Sequence, residues 1–163
     1  MDEWDELTAT HGPAVWRTIC RLLGTADGAE DPFQDTFLEY FELSRRRRVE
    51  SPDALLAHIA SRRAIDVIRR RVVQRVRSRP LVESIVSGSP GPADIAVSQE
   101  TLNRLREAIA ELDVNEAAVF CLTQLEQMEH GEIARLMGLS TNHIAVILHR
   151  ARARLQRRVD KQR

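Results

Sequence analysis

The sequence is poor in aromatic residues, cysteines and long apolar runs. Only 4% of its 163 residues are aromatic, so each core must be built mainly from aliphatic side chains. Cys20 and Cys121 lie far apart, each within an apolar helical pattern, so neither CxxC metal spacing nor a disulfide framework is indicated, and we expect two reduced core cysteines. No apolar run reaches the length of about eighteen residues that a membrane span requires. Residues 1–6 are acidic where a secretory signal would be basic, so we predict a cytoplasmic protein.

The net charge is zero, but the charges alternate in blocks along the chain. Residues 1–44 carry ten acids and two arginines, and residues 45–79 carry twelve arginines and three acids. Residues 80–134 again carry ten acids and two arginines, and residues 135–163 carry eight bases and one acid. Two basic blocks separated by an acidic one predict two separate footprints on a polyanion.

Apolar residues fall mostly at helical spacing. The predicted helices span residues 7–23, a stretch from 27 or 31 to 41, then 52–76, 98–111 and 114–125, followed by two short helices around a tight turn. Residues 78–98 are rich in proline, glycine and serine, which indicates a flexible linker. The predicted fold class is therefore all-α, with two small helical domains at residues 1–77 and 99–163.

The stretch from Glu129 to Leu155 has the pattern of a DNA-binding helix-turn-helix. Ala134 is small where the two helices meet, Gly138 can take the positive φ that ends the first helix, and Ser140 is a good N-cap for the second. The second helix repeats aliphatic residues at helical spacing: Ile144, Ile147, Leu148, Ala151 and Leu155. An ordinary helical hairpin is the alternative on pattern alone.

If those aliphatic residues face inward, rotations of about 100° per residue turn the opposite side of the second helix outward. The predicted DNA-binding residues of this helix are Ser140, Thr141, Asn142, His143, Val146, His149 and Arg150. Asn142 suits adenine, Val146 suits a thymine methyl group, and Arg150 suits a phosphate or guanine.

Two earlier helices carry strongly charged sides. The helix at 52–76 and the residue after it hold the cluster Arg62, Arg63, Arg69, Arg70, Arg71, Arg75 and Arg77, which a polyanion-binding helix explains better than a merely soluble face. The preceding helix projects the acidic and amide side chains Glu30, Asp31, Gln34, Asp35 and Glu39. That side is either a solvated face or a binding surface. Acid-base catalysis is not supported, because no nucleophile, metal set or apolar pocket accompanies it.

Three stretches, in this order along the chain, match the sequence pattern of one protein family: residues 29–38 (AEDPFQDTFL), 59–71 (IASRRAIDVIRRR) and 132–152. Together they resemble the extracytoplasmic-function (ECF) sigma factors, the smallest two-domain members of the sigma-70 family of bacterial transcription initiation factors. The first is similar to the region-two segment that contacts the β′ clamp helices of RNA polymerase. The second is similar to the helix that meets the minus-ten promoter element, and the third to region four, whose reader helix enters the minus-thirty-five element.

The resemblance implies a non-enzymatic promoter-specificity subunit without cofactor, metal or membrane insertion. Its implied partners are core RNA polymerase, through the β′ clamp helices and the β flap, and promoter DNA, and it allows for an anti-sigma factor. The implied polymerase-binding residues are Glu30, Asp31, Gln34, Asp35, Phe37 and Leu38. The implied DNA-binding residues of region two are Arg62, Arg63, Asp66, Arg69, Arg70 and Arg71.

Several positions depart from the family pattern. Pro32 replaces an aliphatic residue, Leu55 replaces a frequent tryptophan, and Arg62 replaces an asparagine. In the reader helix His143 replaces a threonine, and Ala145 and Ile147 replace basic residues. These departures concern promoter specificity more than polymerase binding.

Two other functions are alternatives to a sigma factor. One is a sigma-like interaction protein that binds polymerase or a regulator without productive promoter melting, and the other is a free-standing helix-turn-helix repressor.

Overall fold

A computed structural model of the chain describes residues 2–78 and 93–161, with residues 93–98 described only as part of a helix. These ranges form seven α-helices and no strand: α1 (Glu3–Leu23), α2 (Glu30–Arg46), α3 (Pro52–Arg77), α4 (Ala93–Ala110), α5 (Val114–Gln124), α6 (His130–Met137) and α7 (Thr141–Asp160). The predicted all-α class is therefore confirmed. Within the same ranges no helix is long and apolar enough to cross a membrane. Most of the predicted linker, residues 79–92, lies outside the described residues.

Three predicted boundaries are wrong because helices extend further than expected. α1 begins at Glu3 rather than at residue 7. α4 begins at Ala93, inside the range assigned to the linker, since the sequence from 93 to 110 contains no proline or glycine. α2 continues through Arg46, beyond its predicted end at residue 41, so Arg45 and Arg46 are helical. Positive charge is favourable there, because the C-terminal end of a helix carries a partial negative charge.

The start of α2 also differs from the prediction. The residue before the helix is Ala29, so neither Asp27 nor Asp31 is its N-cap. Pro32 consequently lies at the third helical position, within the first turn, where a missing N–H group removes no intrahelical hydrogen bond.

Aromatic rings fill the space between α1 and α2. The centroids of Trp16 and Phe33 lie 5.6 Å apart, those of Phe33 and Phe37 lie 5.1 Å apart, and Trp4 stacks on Phe41 at 5.0 Å. α3 packs against both helices with a row of buried aliphatic side chains: Leu55, Leu56, Ile59, Ile65 and Ile68. The few aromatic residues of the chain are thus concentrated at one interface.

The helix-turn-helix predicted from the sequence is confirmed in α6 and α7. Gly138 ends α6 with a φ of 68°, and the Oγ atom of Ser140 accepts a hydrogen bond of 3.1 Å from the N–H group of His143. Ala134 is buried with Ile133 in the core of the motif. All of the aliphatic residues expected to face inward from α7 are buried: Ile144, Ile147, Leu148, Ala151 and Leu155.

The start of α6 has a feature that the sequence analysis missed. The side chain of Glu132 accepts a hydrogen bond of 3.3 Å from the backbone N–H group of Glu129. This is one half of a capping box, and the spacing of two glutamates by three residues was the available signal.

The helices before and after residues 79–92 pack against each other. One continuous buried cluster contains Ile65 and Ile68 of α3 together with Ile109 at the end of α4 and Leu112 just beyond it. Cys121 belongs to the same cluster, and burial raises the pKa of its thiol to about 12. Both cysteines are free, as expected, although Cys20 is only half-buried.

The turn of the helix-turn-helix provides a paired stability test. Gly138→Ala should lower the free energy of unfolding by about 1–2 kcal/mol, because a Cβ is disfavoured in the left-handed conformation. No neighbouring atom lies within 4 Å of that Cβ, so backbone strain alone is tested. Gly131 lies in the first turn of α6, and a Cβ added there also meets no neighbouring atom within 4 Å. Gly131→Ala should raise the free energy of unfolding by up to about 1 kcal/mol, because alanine favours the helix more than glycine does. Urea denaturation measures both, and changes of the same sign would contradict this account.

Candidate polymerase and nucleic-acid interfaces

The acidic side of α2 is available to a partner. Glu30, Asp31 and Gln34 are exposed, Asp35 is partly exposed, and Leu38 is 55% exposed. Their spacing by three and four residues places these side chains along one side of the helix. Leu38, which was predicted to bind polymerase, is thus at the surface although it follows the buried Phe37 in sequence. The surface therefore combines carboxylates, an amide and one large apolar side chain.

Phe37 does not belong to this surface, although it was predicted to bind polymerase. Its side chain is fully buried. The ring makes edge contacts with Trp4 and Phe33, at centroid distances of 6.1 Å and 5.1 Å. Phe37 is part of the aromatic packing between α1 and α2, so its side chain is not available to a partner. Its packing against α1 instead fixes which side of α2 faces solvent.

Glu39 also differs from its predicted place on the acidic side. Its carboxylate is mostly buried, and it accepts hydrogen bonds from Arg62 and Arg63 of α3. The Nη2 and Nε atoms of Arg63 lie 2.7 Å and 3.1 Å from Oε2. Burial acts to raise the pKa of Glu39, but the hydrogen bonds and charges of the two arginines outweigh it, so the pKa lies below its ordinary value. Two predicted DNA-binding arginines are thus paired within the protein.

Other arginines of α3 also donate hydrogen bonds to acceptors within the protein. Arg69 donates from Nε to the carbonyl oxygen of Ala110 at 2.7 Å and from Nη2 to that of Leu112 at 3.0 Å. Arg71 donates to the carbonyl oxygen of Asp27 at 2.9 Å.

Asp66 and Arg70 complete the region-two set. Asp66 lies half-buried, 3.4 Å from Nη1 of Arg69. Arg70 is the one exposed residue of the six predicted in region two, and its Nε atom donates to the carbonyl oxygen of Asp66 one turn earlier, at 3.4 Å. The structure brings the predicted arginines together, but on a surface where most already have acceptors.

The predicted reader helix presents its expected side to solvent. Every predicted contact residue of this helix is exposed: Ser140, Thr141, Asn142, His143, Val146, His149 and Arg150. Val146 is 40% exposed, which leaves its methyl groups available for apolar contact. The Ser140 hydroxyl is already used as the acceptor of the helix cap. The inward and outward sides of α7 are therefore as predicted, and the base contacts stay predictions.

The described residues, 2–78 and 93–161, contain no group of His, Cys, Asp or Glu side chains arranged to hold a metal ion. What they bring together is an exposed acidic side on α2, an arginine-rich α3 and a helix-turn-helix with an exposed reader helix. A helix-turn-helix with an exposed second helix is typical of DNA-binding proteins, and the acidic side of α2 is a candidate surface for a protein partner.

Family profiles identify the class. Sigma-70 region 2 matches residues 7–73, and Sigma-70 region 4 matches residues 102–155. The chain therefore belongs to the sigma-70 family of transcription initiation factors, and its relatives place it with the ECF type.

The relatives cover most of the chain. The ECF RNA polymerase sigma factor SigE of Mycolicibacterium smegmatis is 28% identical over 159 residues, which are 96% of this chain and 61% of the relative. The ferric citrate uptake sigma factor FecI of Escherichia coli is 28% identical over 86% of this chain and 82% of its own length. RNA polymerase sigma factor CarQ of Myxococcus xanthus is 29% identical over 96% of this chain and 88% of its own length.

A solved structure has the same fold. It is the sigma factor RpoE of Bartonella quintana in complex with the anti-sigma factor NepR, which matches over the full length of both chains with a TM-score of 0.55 and 22% identity.

The ion pairs of Glu39 lead to a test of the α3 surface. Glu39→Gln should release Arg62 and Arg63 to phosphates, so affinity for DNA and its salt dependence should both increase. The same change should lower the free energy of unfolding by about 1–2 kcal/mol, because hydrogen bonds to a mostly buried charge are lost. Fluorescence anisotropy with duplex DNA and urea denaturation measure the two effects.

A matched variant and the pH dependence sharpen this test. Glu42→Gln removes the same charge from an exposed position of α2 and should change DNA affinity less. A lowered pKa in the folded state means that the stability from Glu39 is present above the ordinary glutamate pKa of about 4.3 and is lost as the pH falls through the lowered value. The difference between wild type and Glu39→Gln should therefore be constant above about pH 5 and shrink in more acidic solution. Equal effects of the two substitutions on DNA binding would contradict the assignment.

Proposed function

We propose that the protein is an RNA polymerase sigma factor of the ECF type, which binds core RNA polymerase in the cytoplasm and directs it to promoters. The observation that carries this proposal is the pairing, on one chain, of an exposed acidic side of α2 with an exposed reader helix α7. A repressor needs only the second surface. The subunit itself does no chemistry, because the polymerase forms the phosphodiester bonds.

The acidic side of α2 supplies the main polymerase contact in this proposal. Its partner would be the β′ clamp helices, and the second half of the chain would meet the β flap. Exposed carboxylates beside the 55%-exposed Leu38 suit a basic helical surface with an apolar centre. An anti-sigma factor, such as the one bound to Bartonella RpoE, would compete for the same surfaces.

The two DNA contacts would differ in character. The arginines of α3 would hold phosphates near the minus-ten element, where melting exposes single strands. The exposed side of α7 would read base edges of the minus-thirty-five element through the major groove. Because Ala145 and Val146 are both exposed there, this reading would depend on apolar contact and groove shape as well as on hydrogen bonds.

The second candidate function is a sigma-like protein that binds polymerase or a regulator without productive promoter melting. This candidate is favoured by the hydrogen bonds that Arg62, Arg63 and Arg69 already donate within the protein. Run-off transcription with core polymerase separates the candidates, since only a sigma factor converts the core enzyme into a promoter-specific one.

The polymerase contact can be tested by charge reversal on α2. Asp31→Arg together with Asp35→Arg should weaken binding to core polymerase at least tenfold, because the new charges would face a basic partner surface. The fold should persist, since neither side chain forms an ion pair within residues 2–78 and 93–161. Competition with a labelled sigma factor for core enzyme measures the affinity.

The matched control for this reversal lies on α1. Asp2→Arg together with Glu6→Arg makes the same charge change at the same spacing, near the N-terminal end of another helix and on exposed residues. This variant should keep normal core binding. A loss of affinity that is equal in both double variants would mean that net charge matters rather than the α2 surface.

The reader helix is tested at two positions with different expected roles. Asn142→Ala should cost about 1–3 kcal/mol of discrimination at one base position of the upstream element. Arg150→Ala should weaken binding to all sequences and lower the salt slope by about one unit if its contact is a phosphate. Selection from randomised upstream elements and salt titrations measure these outcomes.

Arg152→Ala serves as the control for charge on the same helix. Arg152 is exposed and lies about 200° around the helix from Arg150, so its loss should leave base preference and the salt slope nearly unchanged. If wild type and Asn142→Ala select the same consensus with equal stringency, Asn142 does not read a base.

A further inference from the structure

A cavity of about 490 Å³ lies between the C-terminal part of α3 and α4. Its volume falls within the range of about 300–1,000 Å³ that is usual for small-molecule sites. Three arginines line it, Arg71 and Arg75 of α3 and Arg106 of α4, together with one carboxylate, that of Glu107, which pairs with Arg75. Three cations and one anion leave the lining with an excess of two positive charges.

The other two guanidiniums at this cavity donate to neutral acceptors. Arg71 donates to the carbonyl oxygen of Asp27 at 2.9 Å. Arg106 donates to Oδ1 of Asn103 at 3.0 Å and to the carbonyl oxygen of Arg21 at 3.4 Å. Within residues 2–78 and 93–161, neither Arg71 nor Arg106 forms an ion pair. Their charges are therefore available to an anion from outside the chain.

The charge of Arg106 is also partly removed from water. Its side chain is half-buried, and burial lowers the pKa of Arg106 below its ordinary value. The guanidinium nevertheless stays protonated near neutral pH. A partly buried cation without an anionic partner costs free energy, and a bound anion relieves that cost.

The connection between α1 and α2 leaves space for both of these guanidiniums. A Cβ added at Gly24 would lie 2.7 Å from Cζ and Nη1 of Arg106. A Cβ added at Gly28 would lie 2.6 Å from Nη2 of Arg71. Side chains at these two positions would therefore collide with the arginines, and the two glycines allow both cations to lie against the backbone of this connection.

The remaining lining groups indicate the class of ligand. A guanidinium presents a planar pair of donors that matches two oxygens of a phosphate. The amides of Gln74 and Asn103 add neutral donors, and Leu23 and Ile68 provide an apolar wall. Two cations without ion pairs, one on each helix, favour an anion with several phosphoryl groups over a monovalent one.

We propose that the cavity between α3 and α4 binds a polyphosphate anion, either inorganic or carried by a nucleotide, through Arg71, Arg75 and Arg106. The phosphoryl oxygens accept hydrogen bonds from the three guanidiniums, and the apolar wall leaves room for a base. Binding is measured on the free full-length chain without polymerase or promoter, so its failure and a failure of the proposed function are separate results.

Isothermal titration calorimetry with three compounds tests the site at a salt concentration of about 0.15 M, where weak surface charge interactions are screened. ATP and inorganic tripolyphosphate should each bind saturably with a stoichiometry of one, and adenosine should bind much more weakly or not at all. Tighter binding of ATP than of tripolyphosphate would identify a nucleotide as the source of the phosphates, and equal binding would identify an inorganic chain. Absence of saturable binding for both anions would overturn the proposal.

Matched arginine variants locate the binding. Arg106→Gln should weaken the binding of tripolyphosphate about tenfold or more, because a hydrogen bond to a charged group is lost. Arg104→Gln removes the same charge from an exposed position of α4 outside the cavity lining and should have little effect. Arg70→Gln makes the same change on the exposed side of α3. A loss in either control as large as that in Arg106→Gln would mean general attraction of polyanions and would overturn the site.

A second variant tests the cavity without removing an arginine. Asn103→Asp adds a carboxylate beside Arg106 at an exposed position, so the fold should persist while tripolyphosphate binds about tenfold more weakly. Gln124→Glu adds the same charge at an exposed position of α5 outside the cavity lining and should bind normally. Equal effects of the two acidic variants would contradict the proposal. Weakening of duplex DNA binding by Arg106→Gln to the same extent as that of tripolyphosphate would assign the cavity to the DNA surface instead.

Discussion

The structure depends on one helix, α3, which provides contacts to both halves of the chain. Its aliphatic side packs against α1 and α2, and the same helix contacts α4 and α5. Its remaining surface is dense in arginine, whose guanidinium stays charged and needs acceptors wherever it is partly buried. The fold supplies those acceptors from the carboxylates of Glu39, Asp66 and Glu107 and from the carbonyl oxygens of helix ends and turns, such as Ala110, Leu112 and Asp27. The groups that suit α3 to a polyanion are therefore the groups that hold the free protein together.

Helix ends and phosphates present similar acceptors to these arginines. A carbonyl at a helix C-terminus carries only part of the macrodipole charge, whereas a phosphate oxygen belongs to a full negative charge. Arg69 therefore donates to partial charges at Ala110 and Leu112 rather than to a full negative charge. The apolar contact beneath these hydrogen bonds also stabilises the arrangement, because it keeps Ile68 and Ile109 from water.

The features that were predictable from sequence are local ones. The turn at Gly138, the cap at Ser140 and the inward row of α7 all follow from spacing within one or two helical turns. The orientation of α2 was not predictable in this way, because Phe37 and Leu38 are adjacent apolar residues and only the position of α1 decides which is buried. Apart from Asp66, the partners of the α3 arginines lie 23 to 44 residues away along the chain, and no local pattern indicates such pairs.

The two predicted DNA surfaces are not equivalent in the packed form. The outward side of α7, including Asn142 and Arg150, is exposed while the halves are together. The arginines of α3 are mostly paired, and Arg70 is the exposed exception in the region-two set. The outward side of α7 is therefore at the surface in this arrangement, whereas the Nε and Nη2 atoms of Arg69 already donate to the carbonyl oxygens of Ala110 and Leu112. The difference follows from the fold, because α3 packs against helices on several sides and α7 keeps one side free of such contacts.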